Sequence, residues 1–129
     1  MWEVPIDPYI RILVVDDFPA MRKLMRNALR ELGLTNVREA TNGEEALKIV
    51  DAEPIDLILC DWNMPVMSGL EFLIWVRSRQ QLIDLPFIMV TAESDKMNVV
   101  EAIRQKVSSY IIKPFTVEVL EAKLKQAFH

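Results

Sequence analysis

The chain has 129 residues, the length of a single domain, and 51% of them are hydrophobic, which is enough to build a core. It carries 15 Lys and Arg against 19 Asp and Glu, a net charge of −4, which argues against a protein that coats nucleic acid. The only cysteine is Cys60 and the only histidine is His129, so an internal disulfide and a Cys/His zinc cluster are excluded. A lone cysteine is typical of a reducing compartment, and we expect a cytoplasmic protein.

The first nine residues precede any regular pattern. They include Pro5 and Pro8 and have neither a basic start nor an apolar stretch, so they do not resemble a signal peptide. We expect a loose leader over residues 1–9, followed by one domain over residues 10–129. No apolar run approaches the ~18 residues that would cross a bilayer, and membrane insertion is not expected.

Five short apolar runs alternate with longer stretches of helical period, a pattern that predicts a parallel sheet covered by helices on both faces. The fold class is therefore α/β. The first, third and fourth runs are almost wholly hydrophobic, as interior strands are, whereas the second is more polar and suits a sheet edge. The predicted strands are residues 12–15, 36–40, 57–60, 87–90 and 110–112.

Apolar spacing also predicts which side of two helices faces the core. The first helix carries apolar residues three and four apart, which form one stripe ending at a cap on Gly33. The residues of that stripe are Met21, Leu24, Met25, Ala28, Leu29 and Leu32. The fourth helix, over residues 95–105, is expected to turn Val99, Ala102 and Ile103 inward.

Capping residues predict where the other helices begin. Asn42 precedes a second helix over residues 43–52, and Thr116 precedes the last helix. Ser68 and Glu71 form the pattern of a capping box, in which each side chain bonds the other's main-chain amide.

Polar residues follow four of the strands directly. Asp16 and Asp17 come after the first strand, Asp61 after the third, Thr91 after the fourth and Lys113 after the fifth. Parallel strands end at one edge of a sheet, where ligands of open α/β proteins bind. We therefore expect these side chains to lie close together.

The three acids predict a metal site. Any one of them alone could cap a helix, as Asp17 could for the helix that opens at Pro19. Three together are different, because two unit charges ~4 Å apart repel by about 4 kcal/mol at an effective dielectric of 20. Carboxylate oxygens suit a hard cation, so Asp16, Asp17 and Asp61 are candidate ligands of Mg²⁺.

Thr91 and Lys113 add a hydroxyl donor and a positive charge to this edge, which are groups that bind phosphoryl oxygens. With them the cluster becomes a site at which Asp61 could accept a phosphoryl group as a nucleophile.

Four strings at these positions resemble the receiver domains of two-component response regulators, most closely those of chemotaxis. The strings are Asp16-Asp17-Phe18, Asp61-Trp62-Asn63-Met64-Pro65, Thr91-Ala92-Glu93 and Lys113-Pro114-Phe115-Thr116. The resemblance covers about residues 10–128. It implies a flavodoxin-like, doubly wound (βα)₅ fold with a five-stranded parallel sheet in the order 2-1-3-4-5.

The resemblance also implies a phosphorylation switch. A histidine kinase would donate a phosphoryl group to Asp61, with Mg²⁺ held by Asp16, Asp17, Asp61 and the main-chain carbonyl of Asn63. Added charge then stabilises the conformer that contacts the phosphoryl group better. The expected output is a change in the protein's surface. The resemblance thus implies a signalling switch and not an enzyme, although the domain would assist its own phosphorylation and dephosphorylation.

Further roles follow from the same resemblance. Thr91 and Tyr110 would move on phosphorylation, and Lys113 would pair with the phosphoryl group. Asn63 and Glu93 would tune the attack of water that ends the signal.

The output surface implied by the resemblance is formed by the fourth helix, the fifth strand and the fifth helix. Its candidate residues are Lys96, Val99, Tyr110, Ile112 and Lys123, a mixed basic and apolar set that suits a helix or peptide. Val99 and Ile112 are equally compatible with an ordinary core. The implied partners are the kinase, a flagellar motor switch protein or another downstream protein, and a phosphatase.

One segment departs from the family pattern. Chemotaxis regulators usually have glycines around the turn that leads into the fifth strand, where this chain has Lys106-Val107-Ser108-Ser109. If Lys106 adopts a positive φ, the strain is of order 1 kcal/mol.

Three other functions remain open at this point. The first is a receiver belonging to a multidomain regulator or a phosphorelay intermediate. The second is a phosphohydrolase with an aspartyl-phosphate intermediate, although such enzymes place an acid where this chain has Asn63. The third is a flavin carrier, but acids stand after the first strand where that class has a phosphate-binding loop.

Overall fold

Five β-strands and five α-helices alternate along the chain in the computed structural model, which describes residues 6–92 and 96–128. In chain order they are β1 (Ile12–Val15), α1 (Pro19–Glu31), β2 (Val37–Ala40), α2 (Gly43–Ala52), β3 (Leu57–Cys60), α3 (Gly69–Ser78), β4 (Phe87–Thr91), α4 (Lys96–Arg104), β5 (Ser109–Ile112) and α5 (Val117–Ala127). A short 3₁₀ turn, Gln80–Leu82, lies between α3 and β4.

The strands form one parallel sheet in the order β2-β1-β3-β4-β5, which confirms the predicted topology. In the register of the central strands, Val15 lies beside Ala40 of β2 and beside Cys60 of β3. The strand order reverses between β1 and β3, so a crevice opens beyond their carboxyl ends.

Two hydrophobic clusters fill the two faces of the sheet. Side chains alternate along a strand, so Ile12 and Val14 join the cluster beneath α1 and α5, whereas Leu13 and Val15 join the one beneath α2 and α3. All residues of β1, β3 and β4 are buried, while β2 is partly exposed, in agreement with the predicted interior and edge positions.

The predicted caps are present. The Ser68 hydroxyl accepts the Glu71 amide at 3.1 Å and the Glu71 carboxylate accepts the Ser68 amide at 3.0 Å, which completes the capping box. The side chains of Asn42 and Thr116 cap α2 and α5. Gly33 ends the first helical segment at φ 81°.

Within residues 6–92 and 96–128, two residues other than glycine have a positive φ. Lys106 has φ 64°, so the turn before β5 carries the strain that its sequence suggested. Val66 has φ 70° at the centre of a three-residue turn, in which the Met67 amide donates to the Pro65 carbonyl at 2.8 Å. This turn lies between β3 and α3, in the loop that begins with Asp61.

Two predicted core positions are wrong. Ile103 is 64% exposed and Leu24 is 47% exposed, although both lie next to buried positions of their helices. Successive residues of a helix are turned by about 100° around its axis. A residue at the edge of the apolar stripe is therefore exposed when no neighbouring element covers that side of the helix. Ala102 is fully buried on α4, and Met25 and Leu29 are fully buried on α1.

Element boundaries differ from the predicted ones by one residue at several ends. The second strand begins at Val37, the fourth continues to Thr91 and the fifth begins at Ser109. None of the helices in the described ranges is long and apolar enough to cross a membrane.

Candidate functional site

Three carboxylates meet at the carboxyl ends of β1 and β3. Ligand oxygens of Asp16, Asp17 and Asp61 all lie within 4.8 Å of one another. The sheet register places them there, because Val15 and Cys60 are neighbours and the Asp61 amide donates to the Val15 carbonyl at 2.9 Å. The predicted clustering of the three acids is therefore present in the fold.

Asp16 is the most restrained member of the cluster and is only 1% exposed. Its main-chain amide donates to the Ala40 carbonyl at 3.1 Å, and its Oδ1 accepts the Phe18 amide at 2.9 Å. The helix cap suggested for Asp17 does not form, because Phe18 is the N-cap of α1 and no side chain caps it.

Lys113 brings a cation into the cluster from the end of β5. Its Nζ lies 3.0 Å from Asp16 Oδ2 and 3.5 Å from Asp61 Oδ2. The main-chain amide of Lys113 donates to the Thr91 carbonyl at 2.8 Å, which ties this residue to the end of β4. The lysine thus bridges two of the three acids.

Burial controls the electrostatics of Asp61, whose residue is 8% exposed. Burial raises the pKa of the Asp61 carboxyl above its ordinary value, the Lys113 ammonium lowers it, and the negative charge of Asp16 raises it further. The net direction is upward, so the ionised carboxylate is disfavoured here. A further cation beside the cluster would relieve this cost.

Gly69 makes the tightest approach to the site. A Cβ at this position would lie 2.1 Å from the Asp61 carbonyl oxygen, and the Gly69 amide donates to the Trp62 carbonyl at 2.9 Å. The start of α3 therefore packs against the main chain that carries Asp61. The capping pattern of Ser68 and Glu71 predicts only a helix start here, and no local sequence pattern indicates the contact of Gly69 with Asp61.

Arg22 is a second neighbour that the sequence did not reveal. Its guanidinium donates to the main-chain carbonyl of Asp16 at 2.8 Å and to Glu39 Oε1 at 2.9 Å. By helical period Arg22 belongs to the basic outer face of α1. Only the packing of α1 beside the end of β1 turns it toward the acids.

The other predicted site residues occupy different environments. Thr91 is fully buried at the end of β4, and Asn63 is exposed two residues after Asp61. Tyr110 is half-buried and packs against the cluster beneath α2 and α3. Glu93 lies outside the described residues.

The predicted output surface is partly solvent-facing. Ile112 is 40% exposed, and Val99 and Lys123 are half-buried, so Ile112 is not a core residue. Lys96 begins α4, but its side chain lies outside the described part of the structure. Met97 and Val100 add exposed apolar surface to α4.

Comparison with known proteins identifies the family. A model of the response regulator receiver domain matches residues 12–125. The chain belongs to this family. Chemotaxis protein CheY of Pseudomonas aeruginosa is 43% identical to this receiver domain over 119 residues, which cover 92% of this chain and 96% of that protein. Chemotaxis protein CheY-3 of Vibrio cholerae is 40% identical over 126 residues, 98% of this chain and 97% of that protein.

Solved structures agree with this assignment. The chemotaxis protein CheY4 of Vibrio cholerae superposes with a TM-score of 0.84 at 32% identity, covering 92% of this receiver domain and 98% of that chain. The response regulator TrrA of Thermotoga maritima, solved in complex with Mg²⁺ and BeF, gives a TM-score of 0.81 at 36% identity. That match covers 92% of this chain and 98% of TrrA.

Proposed function

We propose that this receiver domain accepts a phosphoryl group on Asp61 from a histidine kinase and acts as a Mg²⁺-dependent chemotaxis switch. The observation that carries the proposal is the position of Asp61, which lies within 4.8 Å of two other acids and 3.5 Å from the Lys113 ammonium. The family's signalling role and the chemotaxis relatives support the same reading.

The donor set fits Mg²⁺. Among the described residues, the ligand group consists of three carboxylates, and oxygen donors are what this hard cation prefers. Asp16, Asp17 and Asp61 would hold the ion, together with the main-chain carbonyl of Asn63. When bound, Mg²⁺ would neutralise charge on the phosphoryl oxygens. A solved relative, TrrA, holds Mg²⁺ with BeF, a phosphoryl analogue.

The transfer itself would be a substitution at phosphorus. A carboxylate oxygen of Asp61 forms the new P–O bond, while the bond between phosphorus and the imidazole nitrogen of the kinase histidine breaks. The imidazole leaves with the electron pair and takes up a proton. Lys113 would offset charge on the phosphoryl oxygens, and the Thr91 hydroxyl would bond one of them.

We further propose that Asn63 and Glu93 set how fast water removes the phosphoryl group. Thr91 and Tyr110 would carry the change to a surface made by Lys96, Val99, Tyr110, Ile112 and Lys123. The expected partners are a flagellar motor switch protein or another downstream protein, with a phosphatase ending the signal. Exposed apolar surface at Ile112 and Met97 is compatible with such docking.

Trp62 provides the test, because it follows Asp61 directly and is half-buried. In a Trp2→Phe/Trp75→Phe background it is the only tryptophan of the three. We expect Mg²⁺ to quench its fluorescence, beryllofluoride to change it again, and a small phosphodonor to add one phosphoryl group by intact mass.

Two variants at opposite ends of β3 decide the outcome. Asp61→Asn should abolish the adduct, whereas Asp56→Asn, which alters an acid paired with Arg11 beyond the other end of the strand, should leave it intact. An adduct that persists in Asp61→Asn would overturn the assignment. Steady turnover of a simple phosphate ester would favour the phosphohydrolase instead.

A further inference from the structure

A partly buried ion pair lies beside the acidic cluster. The Arg22 side chain, on the first turn of α1, is 15% exposed and contacts Glu39 of β2 through Nε at 2.9 Å. Arg26 contacts the other oxygen of the same carboxylate. Glu39 therefore fixes the direction in which the Arg22 guanidinium points.

Arg22 also contacts the main chain between two of the acids. Its second nitrogen donates to the Asp16 carbonyl at 2.8 Å, and this carbonyl belongs to the peptide group that joins Asp16 to Asp17. Asp16 is already held through its amide and both carboxylate oxygens.

Asp17 is the least restrained of the three acids. It is exposed, and its carboxylate makes no hydrogen bond or ion pair with another residue of the ranges 6–92 and 96–128. Its placement beside Asp16 and Asp61 depends on the orientation of the peptide before it, which Arg22 holds.

We propose that Arg22 is a positioning residue: held by Glu39, it orients the Asp16–Asp17 peptide and thereby raises the affinity of the acidic cluster for a divalent cation. The inference rests on the proposed Mg²⁺ site. Metal sites commonly depend on such supporting hydrogen bonds, whose loss costs about 10- to 100-fold in metal affinity.

The sign of the effect separates positioning from simple charge. A guanidinium near three carboxylates repels a metal cation, so on charge alone its removal would tighten Mg²⁺ binding. Loss of positioning has the opposite effect and weakens binding. A variant without Arg22 therefore distinguishes the two roles by direction.

The experiment is a Mg²⁺ titration followed by Trp62 fluorescence in the Trp2→Phe/Trp75→Phe background. Arg22→Met should weaken Mg²⁺ binding by roughly 10-fold or more. Arg26→Met is the matched control, because it removes the same charge and the same Glu39 partner from a residue that does not bond Asp16. The Mg²⁺ affinity of Arg26→Met should change by less than about 3-fold. Arg22→Lys keeps the charge and should fall between wild type and Arg22→Met.

A measurement without metal covers the case in which Arg22→Met folds poorly. In Arg22→Lys, the NMR order parameter of the Asp17 amide should fall, while that of Asp17 in Arg26→Met stays at the wild-type value. Unchanged or tighter Mg²⁺ binding in both Arg22 variants would overturn the inference and leave the proposed function standing. Absence of Mg²⁺ binding by the wild type would overturn both.

Discussion

At the scale of single residues, Gly69 leaves no room for a side chain beside the main chain of Asp61. Because its missing Cβ would lie 2.1 Å from the Asp61 carbonyl oxygen, Gly69→Ala must move main chain and not merely a flexible side chain. We expect a loss of about 2 to 3 kcal/mol in the free energy of unfolding by urea denaturation, with slower phosphorylation of Asp61.

Gly33→Ala is the control for this prediction. Gly33 has φ 81° but nothing within 4 Å of its hypothetical Cβ, so the same substitution costs only backbone strain, about 1 kcal/mol. Equal losses in the two variants would mean that the contact with Asp61 contributes nothing.

The pKa of Asp61 predicts a pH dependence of stability. Its folded pKa is raised above the unfolded value, mainly by burial, so ionisation of Asp61 costs folding free energy at neutral pH. Without divalent cations, Asp61→Asn should therefore unfold at higher urea than wild type at pH 7. The difference should shrink as pH falls through the folded pKa of Asp61 and vanish below about pH 3, where the wild-type carboxyl is protonated in both the folded and the unfolded state.

Asp56 should behave in the opposite way. Hydrogen bonds from the Arg11 side chain lower the pKa of the Asp56 carboxyl, so its ionised form contributes stability that is lost as pH falls through the folded pKa. Asp56→Asn should be less stable than wild type at pH 7, by under about 1 kcal/mol, because both partners are more than a third exposed. A shared sign for the two variants would contradict the burial argument.

Among the elements, α3 is tied to two loops by one side chain. Arg77 donates to the Leu82 and Leu85 carbonyls at 3.2 and 2.7 Å, and to the Lys106 carbonyl at 3.0 Å. It thus holds the loop before β4 and the strained turn between α4 and β5. Burial lowers the pKa of the Arg77 guanidinium, and the hydrogen bonds to these carbonyls offset the cost of burying its charge.

Arg77→Met should cost roughly 2 to 3 kcal/mol in urea unfolding, because it leaves part-buried carbonyl acceptors unpaired. It should also speed hydrogen exchange at the Val107 amide. Arg79→Met removes an exposed arginine two residues away, which pairs with Asp51, and should cost less than about 1 kcal/mol. If Arg77→Met also cost less than about 1 kcal/mol of unfolding free energy, water would be replacing the arginine as the partner of these carbonyls.

For the whole molecule, a cation bound at the proposed site of three acids would stabilise the folded state. A ligand that binds only the folded state adds about 2.7 kcal/mol at 100 times its dissociation constant. We expect saturating Mg²⁺ to raise the urea midpoint of wild type accordingly.

Asp17→Asn should lose most of this Mg²⁺ stabilisation, whereas Asp51→Asn, which changes an acid on α2, should keep it. An equal response of both variants would indicate non-specific screening and not a site.

The sequence alone determined the fold class, the strand order through family resemblance, and which residues end the strands. The reason is that strand and helix periods, caps and turn residues are local, and parallel strands must end at one edge. The sequence alone therefore assigns five residues to one edge of the sheet: Asp16, Asp17, Asp61, Thr91 and Lys113.

Only the tertiary structure decided how these residues are held. Arg22 reaches the Asp16 carbonyl, Gly69 touches the Asp61 main chain, and Ile103 and Leu24 face solvent. Each of these facts depends on where a helix lies against the sheet, and a helix of given period can be rotated by tens of degrees without changing its sequence pattern. The sequence lists the acidic, hydroxyl and basic groups at this edge of the sheet, and the packing of α1 and α3 against the sheet sets how they are held.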